Sequence, residues 1–201
     1  MSLEFRIIFV FPVLLLGMLL QGCATSSVPT ELAPNAAQQR IDELSLALMA
    51  LGDDIDSGEA RRAATIAIEY PLVLAREYQV NDPPMVHNVL VNLGVKPRGL
   101  CVDWTADLMA RLYEERLRSF ELHWGVANYE SAFRIEHSTV IISVRGDSLQ
   151  QGLVLDPWRY SGQLFWAKTP QDTEYDWKPH ADIQALKRQR KEIALNQKVA
   201  R

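Results

Sequence analysis

Three residues with side chains that could act together on a carbonyl group are spread along this chain of 201 residues. Cys101 is followed by His137, and His137 by Asp156. A thiolate can attack an amide or ester carbonyl, an imidazole can move the proton, and a carboxylate on the far ring nitrogen can fix the tautomer. In this order the three residues predict a nucleophile, its base and an orienting group.

The expected position of Cys101 favours this chemistry. Residues 95–99 (VKPRG) cannot form a helix, whereas the sequence from Cys101 onward, CVDWTADLMARLYEERL, has the apolar spacing of a strong one. Cys101 would then lie at a helix N-terminus. Unpaired amides and the macrodipole there stabilise a thiolate and can bind the oxyanion that forms during attack. A small, inert, buried cysteine is the alternative interpretation.

The first residues predict export and lipid attachment. Residues 1–22 contain an apolar run of fourteen residues, 7–20. This run is short for a membrane span, which takes roughly 20 residues, and fits a cleaved leader. The sequence Leu20-Gln21-Gly22-Cys23 resembles the bacterial lipobox, which implies lipidation of Cys23 at the new N-terminus. Ala24, in place of an aspartate, implies the outer membrane of the bacterial cell envelope, with the domain facing the periplasm.

The number of cysteines and the net charge indicate which classes of function the chain can have. The chain has two cysteines, so a lipidated Cys23 leaves Cys101 without a disulfide partner. Oxidising compartments usually pair cysteines that only staple a fold, and an unpaired thiol there favours a chemical role. A formal net charge of -4 without a basic face argues against nucleic-acid binding. The histidines lack the spacing and carboxylate partners of a zinc site, so we expect no metal and no cofactor.

The rest of the chain predicts one α+β domain. Residues 23–36 are small, polar and interrupted by prolines, which is typical of a flexible tether carrying the lipid. Residues 37–180 form the domain, and 181–201 are predicted to be a charged C-terminal helix. Apolar periodicity predicts helices at 38–51, 60–78 and 82–94, ahead of the helix that begins at Cys101. Strands are predicted at 120–128, 134–144, 152–156 and 162–167.

Two local patterns refine this arrangement. Asp56 and Glu59 have the spacing of a capping box for the second helix. The third helix has an apolar stripe, with His87 and Asn88 on its flank or opposite face; the stripe consists of Met85, Val86, Val89, Leu90 and Leu93.

Short links between the strands predict an antiparallel sheet, in which His137 and Asp156 can lie side by side.

These residues together resemble a known family. The segment GLCVDWTA (99–106), a histidine 36 residues after the cysteine and the segment LDPW (155–158) are similar to the core of the transglutaminase-like superfamily. The resemblance covers about residues 80–170. It implies a papain-like α+β fold in which N-terminal helices and a nucleophile-bearing helix pack on an antiparallel sheet. It also implies a Cys101/His137/Asp156 triad that forms a thioester with a peptide or protein amide and then hydrolyses it or transfers it to an amine. A cell-wall peptide is one possible substrate of this kind.

The sequence leaves three parts of the site undecided: the base, the cleft walls and the oxyanion donor. His123 competes with His137 for the base role if the strand register differs. Trp104, Trp158 and Tyr160 are candidates for the cleft walls. No upstream side chain matches an oxyanion-donor motif.

Two other functions compete with a transglutaminase-like enzyme. A cell-wall peptide hydrolase of another papain-like branch usually has an aspartate just before the cysteine and small residues after it. Leu100 and Val102 flank Cys101 instead. The third candidate is a catalytically inactive lipoprotein that keeps the same fold as a peptide-binding or envelope assembly module.

The lipid anchor can be tested by Cys23→Ser. Because acyl chains on Cys23 would hold the protein on a bilayer, the variant should leave the membrane fraction or keep its leader, as read by fractionation and by size on a gel. Unchanged size and unchanged partitioning would contradict lipidation.

Overall fold

A computed structural model describes residues 33–199 of the chain. In this range the chain forms five α-helices and one five-stranded antiparallel sheet, so the predicted α+β class is confirmed. The predicted leader, Cys23 and most of the predicted tether lie outside the described residues. Within residues 33–199, no helix combines the length and apolar character that a membrane crossing requires.

The helices come mainly before the strands, and one helix follows them. The helices are α1 (Pro34–Met49), α2 (Ser57–Glu77), α3 (Pro84–Asn92), α4 (Cys101–Glu114) and α5 (His180–Val199). The strands are β1 (Phe120–Ala127), β2 (His137–Val144), β3 (Leu153–Tyr160), β4 (Gln163–Lys168) and β5 (Lys178–Pro179). The strand order across the sheet is β4-β3-β2-β1-β5, so the first four strands form a meander, which agrees with the predicted antiparallel sheet, and β5 is an unpredicted edge strand.

The first two helices begin near the predicted positions. Helix α1 starts at Pro34, so residues 34–36 are helical, although they were expected to belong to the tether. At the start of α2 the Asp56 side chain accepts the Glu59 N–H at 2.8 Å, which is one half of the predicted capping box; the other half is absent, because the Asp56 N–H donates to Ser119 Oγ. The Glu59 carboxylate accepts hydrogen bonds from the N–H groups of Arg118 and Ser119, which ties α2 to the segment before β1.

Helix α3 packs with the face opposite to the one that its apolar stripe suggested. His87 and Asn88 are buried, whereas most of the stripe is exposed; its exposed members are Met85, Val86, Val89 and Leu93. Each inward polar side chain has one partner: His87 Nε2 donates to the Arg98 carbonyl at 2.8 Å, and Trp158 Nε1 donates to Asn88 Oδ1 at 3.1 Å, whereas His87 Nδ1 is buried without a partner among the described residues. These hydrogen bonds offset the cost of burying the polar groups and orient the helix.

The core lies between the helices and one face of the sheet. Helix α4 contributes Leu108 and Leu112, which pack against Val140 and Leu155 of β2 and β3 together with residues of α1 and α2. The helix that begins at Cys101 therefore packs on the antiparallel sheet, as predicted. Cys101, at the start of α4, belongs to a second and smaller cluster with Tyr78, Trp104 and Trp158.

Strand β3 is longer than predicted and irregular. It continues through Pro157 to Tyr160, and its pairing with β4 shifts register between Asp156 and Tyr160. Proline has no N–H for a ladder and is tolerated at such an irregularity. The irregular stretch therefore begins at the carboxylate of the predicted triad.

Candidate active site

The cysteine occupies the first position of α4, at the base of a cleft. Its side chain is a free thiol and is 6% exposed. The loop before it is held by Asp103, whose Oδ2 accepts the N–H groups of Gly99 and Leu100 at 3.0 Å each. Gly99 has φ +122°, and a Cβ at that position would lie 2.4 Å from His87 Nε2. Only glycine fits between this loop and α3.

The structure brings His137 and Asp156 into direct contact. Their strands pair through Val140 and Leu155, and this register allows His137 Nε2 to donate to Asp156 Oδ2 at 2.8 Å. The two side chains are 3% and 0% exposed. A hydrogen bond from Nε2 fixes the ring orientation and leaves Nδ1 for a second partner.

The thiol of Cys101 lies next to the segment that carries His137. Its Sγ–H donates to the Glu136 carbonyl at 3.7 Å, and Glu136 is the residue before the histidine. Nδ1 of His137 is buried and makes no hydrogen bond of ordinary geometry. The thiol is nevertheless close enough to contribute to the pKa of the ring. Nδ1 is therefore the ring position at which a proton would pass between the imidazole and the sulfur. The first-turn amides of Cys101 and Val102 have no acceptor within the helix and can serve an oxyanion.

Electrostatics favour a protonated histidine. Burial opposes the charged ring, but the Asp156 carboxylate, with a smaller contribution from Cys101, raises the pKa of His137 to about 9. Burial also opposes ionisation of Asp156, but the adjacent His137 and Arg159 hold the pKa of its carboxyl below the ordinary value. At neutral pH the pair is thus an imidazolium and a carboxylate.

Aromatic side chains enclose the imidazole. The ring centroids of Trp158, Tyr175 and Trp177 lie 4.6, 4.7 and 5.4 Å from that of His137. Trp158 is itself held by its hydrogen bond to Asn88 of α3. These rings exclude water from the pair, which strengthens its electrostatic attraction.

Arg159 supports the carboxylate from behind. Its Nε donates to Asp156 Oδ2 at 3.1 Å, and its backbone N–H donates to Oδ1 at 3.2 Å. The other end of the guanidinium binds Asp172 through two hydrogen bonds of 3.1 and 2.8 Å. Asp172 also accepts a hydrogen bond from Trp177 Nε1 at 2.9 Å, which connects this network to the aromatic rings around His137.

The sequence patterns did not predict most of the residues that surround His137 and Asp156. Arg159 follows Asp156 by three residues, and that spacing was the available signal. Asp172, Tyr175 and Trp177 lie beyond β4 in a segment without regular periodicity, so nothing in their spacing pointed to the site.

The cleft beside the triad has a volume of about 210 Å³. Besides Cys101 and His137, it is lined by Met85, Phe133, Ile135, Glu136, Trp158 and Tyr175, with Asn128 and Arg134. Of the expected wall residues, Trp158 is in place. Trp104 is buried and donates from Nε1 to the Gly99 carbonyl at 3.0 Å. Tyr160 lines a different depression, beside Arg40.

His123, the histidine that competes for the base role, lies elsewhere. His123 pairs with Ile141 and His137 with Ala127, so the two histidines are four residue pairs apart along the ladder. His123 Nε2 contacts Ser143 Oγ at 2.8 Å, and burial lowers the pKa of its ring. His180 stacks on Trp124. In the part of the chain that the structure describes, no three His, Cys, Asp or Glu side chains are grouped to hold a metal ion.

Comparisons with family models, curated proteins and solved structures find no match to this chain. The resemblance to the transglutaminase-like superfamily therefore remains a prediction, carried by the residues of the site.

The raised pKa of His137 predicts a pH-dependent stability. The folded state holds this proton more tightly than the unfolded chain, so the ion pair stabilises the fold fully below about pH 6.5 and is lost as pH rises through about 9. In a Cys101→Ala background, which removes thiol ionisation and the part of the pKa rise that the thiol contributes, the free energy of unfolding in urea should fall by up to roughly 2–3 kcal/mol above pH 6.5, with a midpoint below 9. The same background with His137→Gln should be flat there. Parallel curves for the two proteins would contradict the charged pair.

The Arg159 network predicts a positioning role for this residue. Arg159→Lys keeps a positive charge but cannot span Asp156 and Asp172, so the carboxylate should lose its fixed orientation. We expect alkylation of Cys101 by iodoacetamide at neutral pH to slow by roughly tenfold, with an altered pH profile. Arg145→Lys is the matched control, since Arg145 donates to the backbone carbonyls of Leu117 and Arg118 and does not line the cleft. Equal rates and profiles for both variants would contradict the role.

Proposed function

We propose that this protein is a transglutaminase-like cysteine enzyme that cleaves or transfers an amide acyl group. The observation that carries the proposal is the buried contact of 2.8 Å between His137 Nε2 and Asp156 Oδ2, with the other ring nitrogen unpaired beside the thiol of Cys101. An inert buried cysteine has no need of a histidine that is both oriented and charged. The helices ahead of an antiparallel sheet agree with a papain-like arrangement, which is part of the proposal.

In the first half of the reaction, the Cys101 thiolate attacks the carbonyl carbon of the substrate and a C–S bond forms. The N–H of Cys101 at the start of α4 is a candidate donor to the developing oxyanion. The C–N bond then breaks, and the imidazolium of His137 gives its proton to the leaving amine. Asp156 keeps the ring aligned and stabilises its charged form before the transfer. The product of this half is a thioester on Cys101.

In the second half, an acceptor attacks the thioester and the C–S bond breaks. Neutral His137 takes a proton from the acceptor, which restores the imidazolium and the thiolate. Water as the acceptor gives a peptidase or amidase, and an amine gives a crosslinking enzyme. Both outcomes use the same side chains.

The proposal includes the place of action. With a lipid on Cys23, a short tether ending near Pro34 would keep the domain close to the bilayer, because ten extended residues span about 35 Å. We propose an envelope location, anchored in the outer membrane and facing the periplasm.

Acylation by an activated ester tests the triad without knowledge of the natural substrate. The wild type should form an acetyl adduct on Cys101 with p-nitrophenyl acetate, detected by intact mass spectrometry and peptide mapping. Cys101→Ala should abolish the adduct, and Asp156→Asn should slow acylation by about 10²–10⁴-fold, because the ring is no longer oriented by a carboxylate. His123→Ala is the matched control and should acylate at the wild-type rate.

Two results would overturn the proposal. One is an adduct on a residue other than Cys101, and the other is a His137→Ala variant that acylates as fast as the wild type. Mass spectrometry of envelope material incubated with the wild type or Cys101→Ala would then separate hydrolysis from amine transfer and from the binding-module alternative.

A further inference from the structure

Helix α3 presents an apolar face to solvent beside the candidate active site. Met85, Val86, Val89 and Leu93 are 53%, 47%, 55% and 71% exposed. Met85, Val89 and Leu93 are spaced by four residues and therefore form one continuous stripe. Two polar residues of the helix, His87 and Asn88, are turned inward, where Asn88 holds Trp158. The inner face of α3 thus supports the catalytic histidine through Trp158, and the outer face lacks a partner within the described residues.

This stripe reaches the cleft, whose lining also contains apolar side chains from another part of the chain. Met85 belongs both to the stripe and to the lining of the cleft that contains Cys101. Phe133 and Ile135, from the loop between β1 and β2, also line the cleft and are fully exposed and 48% exposed. Exposed bulky apolar side chains from two separate elements, α3 and this loop, therefore share the cleft with the thiol. Such contiguous exposure next to a nucleophile marks a binding surface.

The charged residues of the cleft already have partners. Arg134 donates to the Glu174 carbonyl and lies over the ring of Tyr175. Glu136 forms an ion pair with Lys187 of α5. A charged substrate group in the cleft would have to compete with these contacts, whereas an apolar group would bury surface that is now in water.

We propose, on the basis of the function proposed above, that the substrate is a polypeptide segment with bulky apolar side chains on both sides of the reacting acyl group. One flank of the segment packs on Met85, Val86 and Val89, and the other on Phe133 and Ile135. A peptide of small or charged residues would leave both surfaces in water. A membrane is the less favoured occupant, because a bilayer lying on α3 does not account for the apolar side chains that the loop between β1 and β2 adds to the cleft.

Protection of Cys101 from iodoacetamide tests this substrate class. Two peptide pools of equal length share a central glutamine, which is flanked by Leu and Phe in one pool and by Ser and Asn in the other. Labelling of Cys101 is read by peptide mapping, and every rate is normalised to the same protein without peptide. The apolar pool should protect the wild type, and the polar pool should not.

Variants then locate the contact. Val89→Ser combined with Phe133→Ser should raise the concentration of apolar pool needed for half protection by about tenfold or more. Leu46→Ser on α1 is the matched control, since Leu46 is 63% exposed but does not line the cleft. It should protect as the wild type does.

Each other outcome overturns the substrate class. Equal protection by both pools, protection by neither, or protection by phosphatidylethanolamine/phosphatidylglycerol vesicles in place of the apolar pool would each do so. Failure of the underlying enzymatic proposal is distinguishable, because it would appear without any peptide, as labelling of Cys101 that is unaffected by His137→Ala.

Discussion

A buried carboxylate that must be paired on every side sets the architecture of this site. Asp156 has no exposed surface, and a lone charge at such a position would be strongly unfavourable. Its two oxygens accept hydrogen bonds from His137 on one side and from Arg159 on the other. Arg159 is in turn paired with Asp172, and Asp172 with Trp177, which packs on His137. The network closes on itself, so the imidazole is held through several contacts at once.

This constraint explains features that otherwise look irregular. The register shift in β3 begins at Asp156 and lets the N–H of Arg159 turn back to the carboxylate three residues earlier. The inverted packing of α3 follows from the same requirement, because Asn88 must be inside to hold Trp158 against the histidine. The positioning of His137 thus accompanies an irregular strand in β3 and an inverted packing face in α3. The apolar face of α3 is exposed because Asn88 is inside.

Sequence patterns predicted most of the secondary structure around the candidate site and the contact between two of its three residues. The helix start at Cys101, the cap at Asp56 and the meander of strands follow from periodicity and turn residues, which act locally. The contact between His137 and Asp156 was predictable because neighbouring antiparallel strands leave few registers.

The remaining features depend on tertiary context. Periodicity shows that Met85, Val89 and Leu93 share a face of α3 but not which way the face points, and hydrogen-bond partners far along the chain decided that. The pairing of Arg159 with Asp172 likewise depends on where the segment after β4 returns to the sheet, which no local pattern specifies.

The protonation state of His137 at rest tests the account most directly. The ring nitrogens can be followed by NMR through a pH titration of the wild type and of Cys101→Ala. We expect a doubly protonated imidazolium at neutral pH that loses its proton near about pH 9, and a lower midpoint when the thiol is removed. A ring that titrates near the ordinary value of about 6.5, with the same midpoint in both proteins, would contradict the charged and coupled triad.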